Sequence, residues 1–310
     1  MGLDVFEEYD PDRAKAYWDY YVYARDNDLY LTYVIINPQV DRSKSAIELE
    51  NNNPMMKIVD EDSEGVTVRG AKMLGTSAVM ANEVFVAHLQ PLRPEEVDYA
   101  ISFAVPMNIP GLKVLSRKSY EKHAVSEFDN PLASRYDEND ALMYFDDVKV
   151  PWERIFVYRD PEMCRRQFHD TPGHIYQNYQ AQIRLTVKLK FLVGLAREIC
   201  EVIGTVKIPS VADSLGKMAA QATAVENLMI GMEVKGRAWG EYFVPDRHAV
   251  YAAQTLTQEP YPQMINTLRE LTGGALITLP SSSADYDNPE VRSEELRVGK
   301  ECRSRWSRYP

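Results

Sequence analysis

Leu31-Thr32-Tyr33-Val34-Ile35-Ile36-Asn37-Pro38-Gln39-Val40-Asp41-Arg42-Ser43-Lys44-Ser45 is the stretch on which the architecture turns. An apolar, β-branched run stops at an Asn-Pro turn, and an amide, an acid and two bases follow it. β-Branched residues suit a pleated strand, and the residue before a proline is pushed out of the helical region. The junction therefore reads as a strand that ends at the mouth of a packed core, with hydrogen-bonding groups just beyond it.

Upstream, Asp10-Pro11 marks a helix start, with Asp as the cap and Pro in the first turn. A tyrosine-rich helix follows to about Asp28. Downstream, short apolar segments alternate with turn residues, at 31–36, 55–60, 65–69, 71–77, 83–88, 99–105, 112–116 and 141–145. Short strands at this spacing predict a sandwich or barrel. After Pro172-Gly173 the period becomes helical. Leu185, Leu189, Leu192, Ala196, Ile199 and Ile203 form one apolar stripe, and Val211, Leu215, Met218, Ala222, Val225, Met229 and Met232 form a second. Such stripes require partner helices from this chain or another subunit. Gly204 reads as a stop between them, Ser210 with Asp213 as a capping box, and 262–271 as a short helix ending at Gly273-Gly274.

The 310 residues bound one or two domains with a sizeable core. A net charge of −11 excludes the basic footprint of a nucleic-acid binder. No apolar run approaches the roughly 20 residues that span a bilayer, and the acidic N-terminus lacks the basic start of a signal peptide. Three widely spaced cysteines (Cys164, Cys200, Cys302) fit a reducing cytosol, and neither they nor the five histidines have metal-ligand spacing. The last 20 residues, 291–310, hold Cys302, Trp306 and a run of bases without periodicity; they read as a non-native tail.

Several blocks in one order carry a resemblance: Tyr9-Asp10-Pro11-Asp12-Arg13-Ala14, Asn27-Asp28-Leu29-Tyr30-Leu31-Thr32, Asn37-Pro38-Gln39-Val40-Asp41-Arg42 and Val68-Arg69-Gly70-Ala71-Lys72-Met73-Leu74-Gly75-Thr76. Val105-Pro106-Met107-Asn108-Ile109-Pro110-Gly111-Leu112, Asn130-Pro131-Leu132-Ala133-Ser134-Arg135-Tyr136, Phe145-Asp146-Asp147-Val148-Lys149-Val150-Pro151-Trp152-Glu153-Arg154 and Leu279-Pro280-Ser281-Ser282 continue it. Over roughly 9–290 the chain resembles the oxygenase (large) component of the 4-hydroxyphenylacetate 3-monooxygenase family. The resemblance implies an α+β, acyl-CoA-dehydrogenase-like fold: the end of an N-terminal helical domain at 1–30, a middle β-barrel or sandwich domain at 31–170, and a C-terminal helical bundle at 171–290, truncated at both ends.

The same resemblance implies a cytoplasmic, two-component, FAD-dependent monooxygenase. FADH2 from a separate reductase and O2 would form a C4a-hydroperoxyflavin that hydroxylates a phenol ortho to its hydroxyl. Flavin would lie between the β domain and the bundle, touching Gln39, Val40, Asp41, Arg42 and Thr76. Gln39 offers an amide, Thr76 a hydroxyl and Arg42 a planar cation. Tyr33 stands where well-studied members carry a histidine that bonds the phenol, and His88 begins a loop near the substrate. About a hundred further helical residues would precede this chain, including an arginine and a tyrosine that hold the phenol, and a homotetramer is the family assembly.

The residues by themselves leave plainer readings open. Arg42 suits a surface ion pair, Thr76 a strand-end hydroxyl bonded to backbone, and Arg69 with Lys72 a solvated strand face. Asp146 and Asp147 read as turn residues where a β edge passes into the bundle. Two rival functions remain: a non-catalytic fragment, and a flavin-dependent acyl-CoA oxidoreductase with Glu226 or Glu233 as its base. The cysteine spacings do not supply the iron–sulfur ligands of 4-hydroxybutyryl-CoA dehydratase, which shares the architecture.

Overall fold

The computed structural model describes residues 2–38, 40–41, 43–49 and 53–289. Gln39, Arg42 and the 291–310 tail with Cys302 lie outside them. The chain divides into two compact units, one of residues up to His123 with Leu132–Gly173, the other of Ala124–Pro131 with the residues from His174 onward.

The first unit begins with helices α1 (Leu3–Tyr9) and α2 (Pro11–Asp26). Asp10 caps α2 as its sequence predicts, its Oδ1 accepting from the Asp12 and Arg13 amides at 2.8 and 3.3 Å. One sheet holds β1 (Leu31–Val34), β4 (Glu83–Val86), β5 (Ile101–Pro106) and β8 (Ile155–Tyr158), in that spatial order, with β1 parallel to β4 and the other pairs antiparallel. The second, wholly antiparallel, holds β2 (Lys57–Glu61), β3 (Gly65–Thr76), β7 (Asp140–Pro151) and β6 (Leu112–Ser116).

Valines, phenylalanines and methionines from both sheets share one core. Val34, Val84, Val86 and Phe103 come from the first sheet; Val66, Val68, Met143, Phe145 and Val148 come from the second. Phe103 meets Phe145 edge-on at 5.7 Å, the geometry that aromatic quadrupoles favour. Phe85 and Phe156 of the first sheet instead pack with α1, α2 and α3 (Pro161–His169), where Phe6 stacks on Tyr17 at 4.5 Å. The unit is thus a sandwich with helices over one sheet.

Two sequence expectations change here. The segments 65–69 and 71–77 form one continuous strand, β3. Pro151-Trp152 does not end the β region, because a 3-10 turn (Trp152–Arg154) leads into β8, whose buried apolar run Ile155-Phe156-Val157 hydropathy alone did not separate from the turn. Between Val68↔Val148 and Gly70↔Phe145, β7 carries one extra residue, with Asp147 in the left-handed region at φ 54°. This bulge lets both strands keep their inward faces.

The second unit contains α4 (Gly173–Val202), α5 (Pro209–Val234), a hairpin of β9 (Arg237–Trp239) and β10 (Tyr242–Val244), α6 (Arg247–Leu256), α7 (Pro260–Thr272) and the short α8 (Ala275–Thr278). Both predicted stripes are used. Leu189, Leu192 and Ala196 of α4 pack with Met218, Ala222 and Val225 of α5 and Met264 of α7. Gly204 does stop the first helix, at φ 78°. The capping box at Ser210 and Asp213 does not form. Pro209 occupies the first helical turn, so the helix starts one residue before Ser210, and Asp213 pairs with Lys217 at 2.7 Å instead. Among the described residues no helix is long and apolar enough to cross a membrane.

Candidate functional site

Strand β1 sits at the edge of its sheet, and its alternation sorts the expected site residues. Thr32 and Val34 point inward; Leu31 and Tyr33 are exposed, Tyr33 at 50%. Thr32 Oγ1 donates to the Thr76 carbonyl at 2.8 Å, tying the edge strand to the end of β3. The Thr76 hydroxyl is engaged by a side chain rather than by backbone: Oγ1 donates to Asp140 Oδ1 at 2.7 Å. Its proton is therefore committed, and the oxygen lone pairs are what it can offer a ligand.

Beyond the Asn37-Pro38 turn a cleft of about 560 Å³ opens, lined among others by Val40, Asp41, His88 and Gln90, with Asn37 in its wall. Val40, Asp41 and His88 are thus brought to one cavity. Asp41 accepts from Ser43 N at 3.0 Å and Ser43 Oγ at 2.6 Å, and these bonds hold its carboxyl below the usual carboxylate range. It is a stable anion that shapes its own turn rather than a proton carrier.

Lys72 behaves contrary to expectation. It is 0% exposed, among the largest fully buried side chains of the chain, whereas the sequence reading put it on a solvated strand face. The alternation Val66, Val68, Gly70, Lys72 continues straight inward, and Lys72 pairs across the ladder with buried Met143. Arg69, on the other parity, is exposed and forms a two-pronged bond with Asp147, both contacts at 2.6 Å. Asp146 is likewise occupied, by Lys113 at 2.6 Å, so both acids are ion-paired residues of the bulge.

Inside the core, Lys72 Nζ donates to Asn37 Oδ1 at 2.8 Å and lies 3.5 Å from His88 Nδ1. Asn37 Nδ2 donates in turn to Gln90 Oε1 at 2.8 Å. Asn37 and His88 are each 2% exposed. Burial, which penalises the charged form, pulls the lysine amine down from 10.5 to about 7. Burial, and then the lysine charge, hold His88 well below the ordinary 6.5, so it is neutral. Burial pushes the nearby Cys164 thiol up to about 12, which keeps it protonated.

Sequence reasoning overlooked Asn37, Lys72 and Gln90 as a group. The signal for Lys72 was present in its parity with Val66 and Val68. The partnership with Gln90, 53 positions from Asn37, left no local trace.

The residues of the rival readings have other occupations. Glu226 accepts from Lys190 at 2.5 Å and Glu233 from the Tyr179 hydroxyl at 2.5 Å. Cys164 and Cys200 are buried and unbridged, and no group of three or more His, Cys, Asp or Glu with metal-binding geometry occurs among the described residues.

Family models agree with this picture on both units. Residues 1–157 match the 4-hydroxyphenylacetate 3-hydroxylase N-terminal model and residues 164–294 the C-terminal one. The 4-hydroxyphenylacetate 3-monooxygenase oxygenase component of Geobacillus sp. is 32% identical over 94% of this chain and 60% of its own length. The oxygenase component of 4-nitrophenol 2-monooxygenase from a Rhodococcus species is 34% identical over 92% of this chain and 54% of its own. A crystal structure of the oxygenase component of 4-hydroxyphenylacetate 3-monooxygenase complexed with FAD superposes with a TM-score of 0.85, at 31% identity over 93% of this chain and 59% of that one. The fold class is accordingly α+β and acyl-CoA-dehydrogenase-like. The chain spans between half and two thirds of the length of these relatives.

Proposed function

The chain belongs to the 4-hydroxyphenylacetate 3-hydroxylase family, and on that footing we propose that the whole protein hydroxylates a phenol ortho to its hydroxyl, with FADH2 from a separate reductase and O2 as co-substrates. The observation that carries this reading is the match of both family models, end to end, on a chain whose strand unit holds a roomy, polar-walled cleft at the expected turn. The donor set fits a flavin: the Gln90 amide and the His88 imidazole stand among apolar Ile36, Val40 and Leu92, as a flat, acceptor-edged ring requires.

In this reading Gln39, Val40, Asp41, Arg42 and Thr76 hold the cofactor, Thr76 through its lone pairs. Bound reduced flavin supplies the oxygen chemistry; the protein supplies orientation and exclusion of water. Tyr33 orients the phenol from the exposed side of β1 by one hydrogen bond. His88, neutral and buried in the cleft wall, contacts the ligand as a hydrogen-bonding group. The substrate class is a phenol carrying a para substituent, since relatives are named for both 4-hydroxyphenylacetate and 4-nitrophenol. A homotetramer and a cytosolic location belong to this reading; exposed apolar residues of α4 and α5, Val187, Phe191 and Val234 among them, offer faces for association. The domain arrangement is the end of a helical domain at 1–30, a β domain at 31–170 and a helical bundle at 171–290, with 291–310 a foreign tail.

The test is anaerobic titration of the chain with dihydro-FAD, then turnover with 4-hydroxyphenylacetate scored for catechol against hydrogen peroxide. Saturable uptake with catechol formation is expected. Uptake with peroxide alone identifies a piece that binds flavin without shielding it. Reduction of bound FAD by an acyl-CoA would replace the hydroxylase with the oxidoreductase reading.

A further inference from the structure

Lysine in its charged form has three N–H donors and no acceptor, and that asymmetry propagates. Whatever faces Lys72 must accept. Asn37 therefore turns Oδ1 toward the amine, which sends its Nδ2 to Gln90, at 2.8 Å for each link. Gln90 must then accept through Oε1, which leaves its Nε2 donors pointing away from Asn37. The second branch obeys the same logic. His88 Nδ1 lies 3.5 Å from the amine, at the outer limit of a hydrogen bond; facing a charged amine, which has no acceptor, it can only accept there. A neutral imidazole that accepts at Nδ1 carries its proton on Nε2. His88 and Gln90 both line the cleft, and the described residues provide no protein acceptor for either of these nitrogens. Cys164, the other titratable group close enough to influence Lys72, stays a thiol and competes for no proton.

We propose that Lys72 sets the hydrogen-bond polarity of the cleft from behind its wall: it orients Asn37, Gln90 and His88 so that the cleft presents N–H donors, and the cleft takes a ligand group rich in acceptor oxygens. Lys72 is a positioning residue in this scheme. It touches no ligand and acts through two amides and one imidazole. The acceptor chemistry is shared by a flavin's ring carbonyls and by the carboxylate of an aromatic acid; naming these two as sources rests on the hydroxylase reading, whereas the donor wall does not.

Two measurements decide it. In a long-range proton–nitrogen spectrum at pH 6, with the His88 signals identified by their loss in His88→Gln, wild-type His88 is expected as the neutral Nε2–H form. Lys72→Met is expected to lose that preference. A wild-type Nδ1–H form, or an unchanged tautomer in Lys72→Met, would overturn the proposal. Should Lys72→Met not fold, the wild-type spectrum still decides, together with Gln90→Glu at an exposed position. That variant replaces a donor by an anionic acceptor and should weaken binding of an acceptor-rich probe about tenfold or more. Dihydro-FAD and 4-hydroxyphenylacetate are titrated separately, and the one weakened names the source. Gln90→Glu binding both probes as wild type does would sink the donor wall. Wild-type protein that takes up neither probe removes the hydroxylase reading and the ligand assignment, while the nitrogen spectrum still decides the role of Lys72.

Discussion

Arg154 Nη1 meets Glu83 Oε2 at 2.7 Å, and the carboxylate side chain is only 4% exposed. The guanidinium also lies over the Tyr20 and Tyr23 rings, 5.1 and 5.0 Å from their centroids. One cation thus joins the start of β4, the turn before β8 and helix α2. Truncating Glu83 to alanine leaves a mostly enclosed cation without its counter-charge. Breaking a fully buried pair costs roughly 3–5 kcal/mol; partial exposure of Arg154 reduces this to about 2–3 kcal/mol. The urea midpoint of Glu83→Ala should fall accordingly, and a loss under half a kcal/mol would show that the pair contributes nothing net.

Lys72 links stability to pH. Its amine falls from 10.5 in the open chain to about 7 when folded. Between these values the unfolded chain holds a proton that the folded chain has released, so stability rises with pH, by ~1.4 kcal/mol per unit for one such group. The cost of burying the ammonium is present in full below about pH 7. His88 works in the same direction at lower pH: it is neutral when folded but protonates below 6.5 when unfolded, so acid costs further stability. Wild-type stability, relative to Lys72→Met, should therefore climb from pH 7 to about 9. Parallel curves for the two proteins would rule out a shifted Lys72.

Gly70 in β3 combines two separate obstacles to a side chain. Its φ is +120°, and a Cβ there would lie 2.4 Å from the Met55 carbonyl oxygen. Both the backbone conformation and the space exclude alanine. Gly70→Ala should cost about 3 kcal/mol or more, since backbone strain and a clash with main chain combine at one residue. The measurement is thermal unfolding beside Gly194→Ala, a helical glycine with nothing within 4 Å, which should be neutral or mildly stabilising.

Tyr33 offers a clean division between substrate and cofactor. Half exposed on an edge strand, it can lose its hydroxyl without opening the core. Tyr33→Phe should weaken phenol binding about five- to tenfold, the worth of one hydrogen bond, while dihydroflavin uptake stays as in wild type. Tyr33→His should introduce a titration between pH 6 and 7 into the rate profile. Equal losses for phenol and flavin would mean that Tyr33 supports the strand rather than the substrate.

What was legible in the sequence follows from what is local. The cap at Asp10, the apolar stripes of α4 and α5 and the alternation of Val66 and Val68 are each set by residues a few positions apart, where propensity, capping and period act directly. The collinear blocks carried the family with them. The failures have the same origin. Ser210 reads as a cap until Pro209 is given its turn, and β8 hides behind Pro151 because a buried strand and a turn-bounded apolar run look alike in one dimension.

The sequence by itself determined that strands precede paired helices, and that an Asn-Pro turn closes the first strand. Only the tertiary structure decided that Lys72 has no water, that its amine reaches Asn37 and His88, and that Asn37 reaches Gln90. Hydrogen bonds between residues 16 to 53 positions apart depend on how two sheets stack, and the charge state of a lysine depends on the solvent that stacking removes.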